Sequence, residues 1–182
     1  FLFELGQLRL LKNSGFRLIG INNPHSVGDH SLRAAQIGYI LAKMEKYPNP
    51  MEICSMLVFH EIGECRIGDI NKVENRYLTA NEEEAVKQQI EALREIGKDL
   101  FELWKRAEDR NSTAGMLVKD ADMLEHSLSA KEYTERGYPA AQNWIDNSAK
   151  ALKTTSGKKL METLQQSSSN EWWQGLKKFN KY

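Results

Sequence analysis

Apolar residues recur at three- and four-residue spacing along most of this chain, and no run alternates apolar and polar for more than a few residues. That pattern gives each segment one buried stripe and leaves no face for a sheet, so it restricts the fold to packed helices. The punctuation agrees. Only 12 Gly and 4 Pro interrupt 182 residues, and Glu, Lys, Leu and Ala recur between them, a composition that favours helix. The length suits one domain with a full core, residues 1–182, with no linker in view.

Helix starts and stops can be placed individually. Phe1, Leu5, Leu8 and Leu11 form a first stripe that stops near Asn13-Ser14-Gly15. Ser26-Val27-Gly28-Asp29 reads as a capping box opening a helix to about Lys46. In Asn49-Pro50-Met51-Glu52 the Asn is expected to cap, with Pro at the first helical position, and the helix to run to about Gly68. Asn81 followed by three Glu suits the positive end of a helix that ends near Gly97. Leu100, Leu103, Trp104 and Ala107 mark another, and Ser112-Thr113 begins a long one to about Arg136. After Gly137-Tyr138-Pro139 a helix runs to about Lys153, a break falls at Thr155-Ser156-Gly157, and a short helix follows. Trp172, Leu176 and Phe179 close the chain at helical spacing. The expectation is an all-α bundle of eight or nine helices.

Charge and cysteine usage narrow the partners. The 25 basic and 25 acidic residues cancel, which gives little support for binding a nucleic-acid backbone. Lys158, Lys159, Lys177, Lys178 and Lys181 cluster late and read as a solvated face. No apolar run approaches 18 residues, so no membrane span is expected. Two cysteines, Cys54 and Cys65, are too few for a disulfide framework, and a reduced, cytoplasmic setting is expected.

The chemistry concentrates in His60-Glu61-Ile62-Gly63-Glu64-Cys65-Arg66-Ile67-Gly68-Asp69, with one imidazole and three carboxylates in ten residues. His60 continues the stripe of Met56 and Leu57, so a buried face turns polar at one end, which is costly unless something satisfies those groups. Asp29-His30-Ser31 upstream and Lys119-Asp120-Ala121-Asp122 downstream add the same residue types. Two His and two carboxylates suit one divalent ion such as Mn, Co, Fe, Ni or Zn. Taken singly, each residue has an ordinary reading. His30 can be a hydrogen-bonded core histidine, Asp122 and Glu61 helix acids, Asp29 a cap, and His25 and His126 loop or surface residues. The combination carries the metal reading. A zincin reading fails, because Glu64 stands where the second His would be.

In these residues the chain resembles the HD-domain metal phosphohydrolases, and within them the YfbR-like 5′-deoxynucleotidase group. The correspondence runs from about Gly15 to Tyr133. It rests on Gly15-Phe16, Pro24 to Ser31, His60 to Asp69, Leu103-Trp104, Val118 to Asp122 and Glu132-Tyr133, in the group's order and spacing. The resemblance implies an all-α, commonly homodimeric enzyme that removes phosphate from 5′-deoxyribonucleoside monophosphates. It implies His30, His60, Glu61 and Asp122 as metal ligands, and Glu64 and Asp69 as catalytic acids. Lys119 and Arg33, each one turn from a ligand, are candidates for substrate phosphate, and Phe16 for the base. The chain departs from the group at Glu61, where the signature has Asp. It also departs at His25 (Glu in the group), Phe16 (Trp), Gly15 (Arg in the YfbR branch) and Ala114 (Glu in some relatives). A related phosphodiesterase or triphosphohydrolase, and a non-catalytic nucleotide-binding protein with a decayed metal site, are the competing expectations.

Overall fold

The computed structural model describes residues 1–174 and Leu176; Lys177, Lys178, Phe179 and Lys181 lie outside the described residues. Among the described residues there are helices and turns, and no β-strand beyond an isolated bridge between Lys12 and Ser26. The helices in order are α1 (Leu2–Leu5), α2 (Ser14–Arg17), α3 (Val27–Met44), α4 (Pro50–Phe59), α5 (Glu64–Ile67), α6 (Glu82–Ile90), α7 (Glu95–Glu108), α8 (Thr113–Glu135), α9 (Gln142–Ala151), α10 (Thr155–Gln166) and α11 (Glu171–Gln174). The all-α bundle expected from the periodicity is what forms.

The centre is a three-helix layer in which α3 packs against both α4 and α8. Ala34, Ala35, Leu41, Ile53, Met56, Leu57, Leu117, Ala121 and Leu124 supply its buried contacts. Gly38 lets α3 and α4 close up. A Cβ there would stand 2.1 Å from Leu57 Cδ1 and 3.2 Å from Ile53 Cγ2. A second apolar cluster of Ile62, Val86, Ile90 and Trp104 seats α6 and α7 against the end of α4. No helix among the described residues is long and apolar enough to cross a membrane.

The capping signals divide in outcome. The Ser26–Asp29 capping box forms in full, and Asn81 and Ser112 accept from the Glu84 and Gly115 amides. Asn49 makes no side-chain cap, although Pro50 does occupy the first turn.

Several boundaries fall elsewhere than the spacing predicts. The first stripe forms only the four residues of α1 and then a 3-10 turn over Gly6–Arg9. The segment read as one helix from Pro50 to Gly68 stops at Phe59 and resumes at Glu64. In between, the backbone tightens to i→i−3 bonds, Ile62 N to Phe59 O and Glu64 N to Glu61 O, while Trp104 Nε1 donates to the freed His60 carbonyl at 3.2 Å. The next break falls at 91–94, where Arg94 takes a positive φ of 53°, rather than at Gly97. Thr155 begins α10 instead of breaking it, because Thr154 is its N-cap.

Candidate metal centre

Three helices deliver four side chains to one point. His30 stands in the first turn of α3, fixed in rotation by the capping box just before it. His60 and Glu61 leave the end of α4 in the tight turn. Asp122 lies midway along α8, on the face that meets α3. One ligand atom from each of His30, His60, Glu61 and Asp122 falls within 4.8 Å of the others. His60 Nε2 is 3.1 Å from Glu61 Oε1, and His30 Nε2 is 3.3 Å from Asp122 Oδ1.

The hydrogen bonds select the tautomers a metal needs. His60 Nδ1–H donates to the Leu57 carbonyl at 2.8 Å, and His30 Nδ1–H donates to Glu125 Oε2 at 2.5 Å. In the neutral ring each bond places the proton on Nδ1 and leaves Nε2 as the atom that can bind an ion. Both Nε2 atoms are buried and have no hydrogen-bond partner. Buried nitrogens of this kind are costly unless a ligand satisfies them, and a histidine held through its other ring nitrogen by a carboxylate or carbonyl is the usual support for a metal ligand. The donor set therefore fits a divalent cation.

The surrounding carboxylates attract positive charge to the cage. Burial opposes charge on His30, yet Asp122 and Glu125 outweigh it and hold its pKa well above the ordinary histidine value. Burial raises Glu61 and Asp122 as well, but His60 holds the Glu61 carboxyl down at about 2, and Lys119 with the neighbouring imidazoles keeps Asp122 ionised. Glu64 is pushed up to about 10 by burial and by the carboxylates of Glu61, Asp69 and Glu82, and its Oε2 is buried without a partner. Burial and Glu61 lift Glu82 to about 7. A divalent cation among these acids is the charge that would relieve their repulsion.

The cage opens onto a cavity of about 140 Å³. Its lining includes His60, Glu61 and Asp122 of the cage together with Lys119, Arg110, Glu82 and Glu108. Lys119 Nζ reaches Asp122 Oδ2 at 2.5 Å, so its charge lies at the mouth of the cage. Asp69 is anchored beside Glu64 by the Ser14 backbone amide, which donates to Oδ2 at 2.6 Å; burial still raises its carboxyl above the usual range.

Other expected site residues lie behind the cage. Phe16 is fully buried, stacked on Trp144 at 4.8 Å and tilted against Tyr133, which leaves no ring face for a base. Arg33 spreads its guanidinium over Glu125, Glu132 and Ser129, so its fork is occupied by protein groups. Asp120, read in sequence with Asp122, turns to the opposite side of α8. There it accepts the Lys153 and Thr154 amides and the Thr154 hydroxyl, fixing the residue that caps α10.

Sequence reasoning passed over three contributors. Glu125 supports His30, and Glu82, read only as a helix-start acid, lines the cavity. His126, read as a surface residue, sits edge-on to His30 with ring centroids 4.3 Å apart. For Glu125 and His126 the available signal was their spacing of three and four residues from Asp122. For Glu82 there was none.

Comparison with known proteins identifies relatives of this chain. The sequence model of the HD domain matches residues 5–165. The chain is 34% identical to 5′-deoxynucleotidase HDDC2 of Dictyostelium discoideum over 143 residues, 72% of this chain and 74% of that protein. With the human protein of the same name it shares 30% identity over 155 residues, 82% and 75% of the two chains. A structural-genomics crystal structure superposes with a TM-score of 0.81 at 27% identity, covering 95% of this chain and 96% of that one. A conserved hypothetical protein from Pyrococcus furiosus gives 0.75 at 26% identity, covering 91% and 98%. With two histidines and two carboxylates converging from three helices of an all-α bundle, and a domain match over most of its length, the chain belongs to the HD-domain family.

Proposed function

We infer that this chain is a metal-dependent phosphohydrolase that releases phosphate from nucleoside 5′-monophosphates. One observation carries the reading: the two buried, unpartnered Nε2 atoms of His30 and His60 face Glu61 and Asp122. The relatives named 5′-deoxynucleotidase supply the substrate class. The ligands in this reading are His30, His60, Glu61 and Asp122. The cation they hold is Mn, Co, Fe, Ni or Zn, because imidazole and carboxylate together suit that group. Such an ion supplies polarisation of a phosphoryl oxygen, orientation of the ester and a more acidic water.

The protein groups divide the remaining work. Phosphate monoesters hydrolyse very slowly unaided, so proton movements must be assisted where charge develops. Glu64, three residues after Glu61 and held protonated by burial and the surrounding carboxylates, would ionise once a bound cation offsets that negative charge, and then takes the proton of the attacking water. Asp69, whose carboxylate accepts the Ser14 amide, returns a proton to the leaving 5′ oxygen in this reading. Lys119, in the lining of the same cavity, neutralises the phosphate. Arg33 acts through Glu125, and Phe16 through packing. The same proposal includes a single domain over 1–182, a homodimer and a cytoplasmic setting; free Cys54 and Cys65 are compatible with the last.

A product panel tests the reading. Nucleoside monophosphates, triphosphates and cyclic nucleotides are each incubated with the protein and one divalent ion at a time. Orthophosphate from monophosphates is expected. Cleavage confined to cyclic nucleotides or triphosphates would favour the related diesterase or triphosphohydrolase chemistry, and no turnover with any ion would favour a decayed site.

A further inference from the structure

All four histidines of the chain gather around this centre, yet only His30 and His60 belong to the cage. His126 has its own connections. It lies one turn after Asp122 on α8, and its Nδ1 is 3.2 Å from both the backbone carbonyl oxygen and Oδ1 of Asp122. On the other side of the ring, Asn13 Nδ2 is 3.3 Å from His126 Nε2. An amide nitrogen only donates, so Nε2 must accept, and the ring proton is fixed on Nδ1, pointing at Asp122. Asn13 is itself buried and pinned, because its backbone N–H donates to the His25 carbonyl at 3.1 Å and the neighbouring Lys12 pairs with Ser26. The next residue, Ser14, is the one that holds Asp69.

We propose that His126 is a positioning residue for Asp122, kept in its donor tautomer by Asn13, and that this pair sets how tightly the cage holds its cation. Lys119 takes Oδ2 of Asp122 and His126 faces Oδ1, so neighbours one turn before and one turn after on α8 fix the rotation of the carboxylate. Fixing a ligand's orientation before the ion arrives removes an ordering cost from binding, and partners of this kind are worth roughly 10- to 100-fold in metal affinity. The segment Asn13-Ser14 would then serve both halves of the site, steadying Asp122 through His126 and Asp69 through a backbone amide. This inference rests on the metal reading of the cage.

Calorimetric titration of the metal-stripped protein with Mn²⁺ tests it, with circular dichroism confirming that each variant folds. The wild type is expected to bind one ion, and His30→Ala to lose binding. His126→Phe, which keeps a ring but no donor, should bind roughly 10- to 100-fold more weakly. His126→Gln, which restores an N–H donor four residues from Asp122, should stay within about threefold of wild type, and Asn13→Ala should fall between the two. Wild-type affinity in both His126→Phe and Asn13→Ala would overturn the inference while leaving the metal reading intact. Equal weakening in His126→Phe and His126→Gln would also overturn it, since packing alone would then explain the loss. If His126→Phe does not fold, the contrast between His126→Gln and Asn13→Ala decides. A wild type that binds no ion, with the His30→Ala trace identical to it, would remove the metal reading and this inference together.

Discussion

Oε2 of Glu125 lies 2.5 Å from Nδ1 of His30 in the interior of the bundle, and Arg33 with Ser129 holds the other carboxylate oxygen. This buried chain ties the first turn of α3 to α8 and turns the His30 lone pair toward the cage. Glu125→Gln is expected to keep the side-chain volume but let the imidazole proton move to Nε2. Metal affinity should fall roughly 10- to 100-fold, measured by calorimetric titration, while the fold stays intact by circular dichroism.

Glu64→Gln separates catalysis from metal holding. The variant should bind the ion as tightly as wild type and lose about 10²- to 10⁴-fold in turnover, the usual size of a general acid–base contribution. Unchanged phosphate release in Glu64→Gln would remove Glu64 from the reaction.

The metal-free protein has a pH signature whose sign follows from these shifts. Glu64 is raised from 4.5 to about 10 and Glu82 to about 7, and His30 is raised well above 6.5. Over those ranges the folded state binds more protons than the unfolded one, so stability falls as pH rises. Glu61 and Glu125, lowered to about 2, act oppositely and withdraw stability as pH falls below about 4.5. Denaturant unfolding of stripped protein should therefore show maximal stability at mildly acidic pH. Glu64→Gln should remove up to one proton of the alkaline slope, about 1.4 kcal/mol per pH unit. An alkaline limb of the same slope in the variant would contradict the assignment.

Gly38 tests the packing that brings His30 and His60 together. Gly38→Ala places a methyl group on Leu57 Cδ1 and near Ile53, so α3 and α4 must move apart. Overpacking of this kind costs about 1–3 kcal/mol, which should offset any gain in helix propensity. Thermal unfolding reads the stability loss, and metal titration should show weaker binding in parallel.

Lys119→Met should act on substrate more than on chemistry. Its ammonium pairs with Asp122 at the cavity mouth. Loss of the positive charge is expected to raise KM for a nucleoside monophosphate about tenfold or more, with a smaller change in kcat. Equal KM values for the two proteins would assign Lys119 to Asp122 alone.

Much of this site could be read before the fold was known, because His30, His60, Glu61 and Asp122 carry unusual chemistry at spacings that buried helical faces explain. The Ser26–Asp29 box, Asn81 and Ser112 were legible for the same local reason: their partners lie three residues away. Glu125 and His126 offered only their one-turn spacing from Asp122, and Glu82 offered no signal, because their roles depend on α8 packing on α3 and on Glu82 lying against Gly63. The interruption after Phe59 was hidden too. Its apolar stripe continues through His60, and the tight turn depends on Trp104, 44 residues later, capturing the His60 carbonyl. Asp120 belongs to the same stretch as Asp122 but turns away from the cage, as two residues on a helix about 200° apart must.

The central claim is that the cage of His30, His60, Glu61 and Asp122 makes phosphate release depend on a bound divalent ion. The most direct measurement is orthophosphate release from a deoxynucleoside 5′-monophosphate by protein stripped with chelator, then resupplied with Mn²⁺ or Co²⁺. Activity should vanish on stripping and return with one ion per chain, and Asp122→Ala should prevent the return. Full activity in the stripped protein, or in Asp122→Ala, would contradict the account.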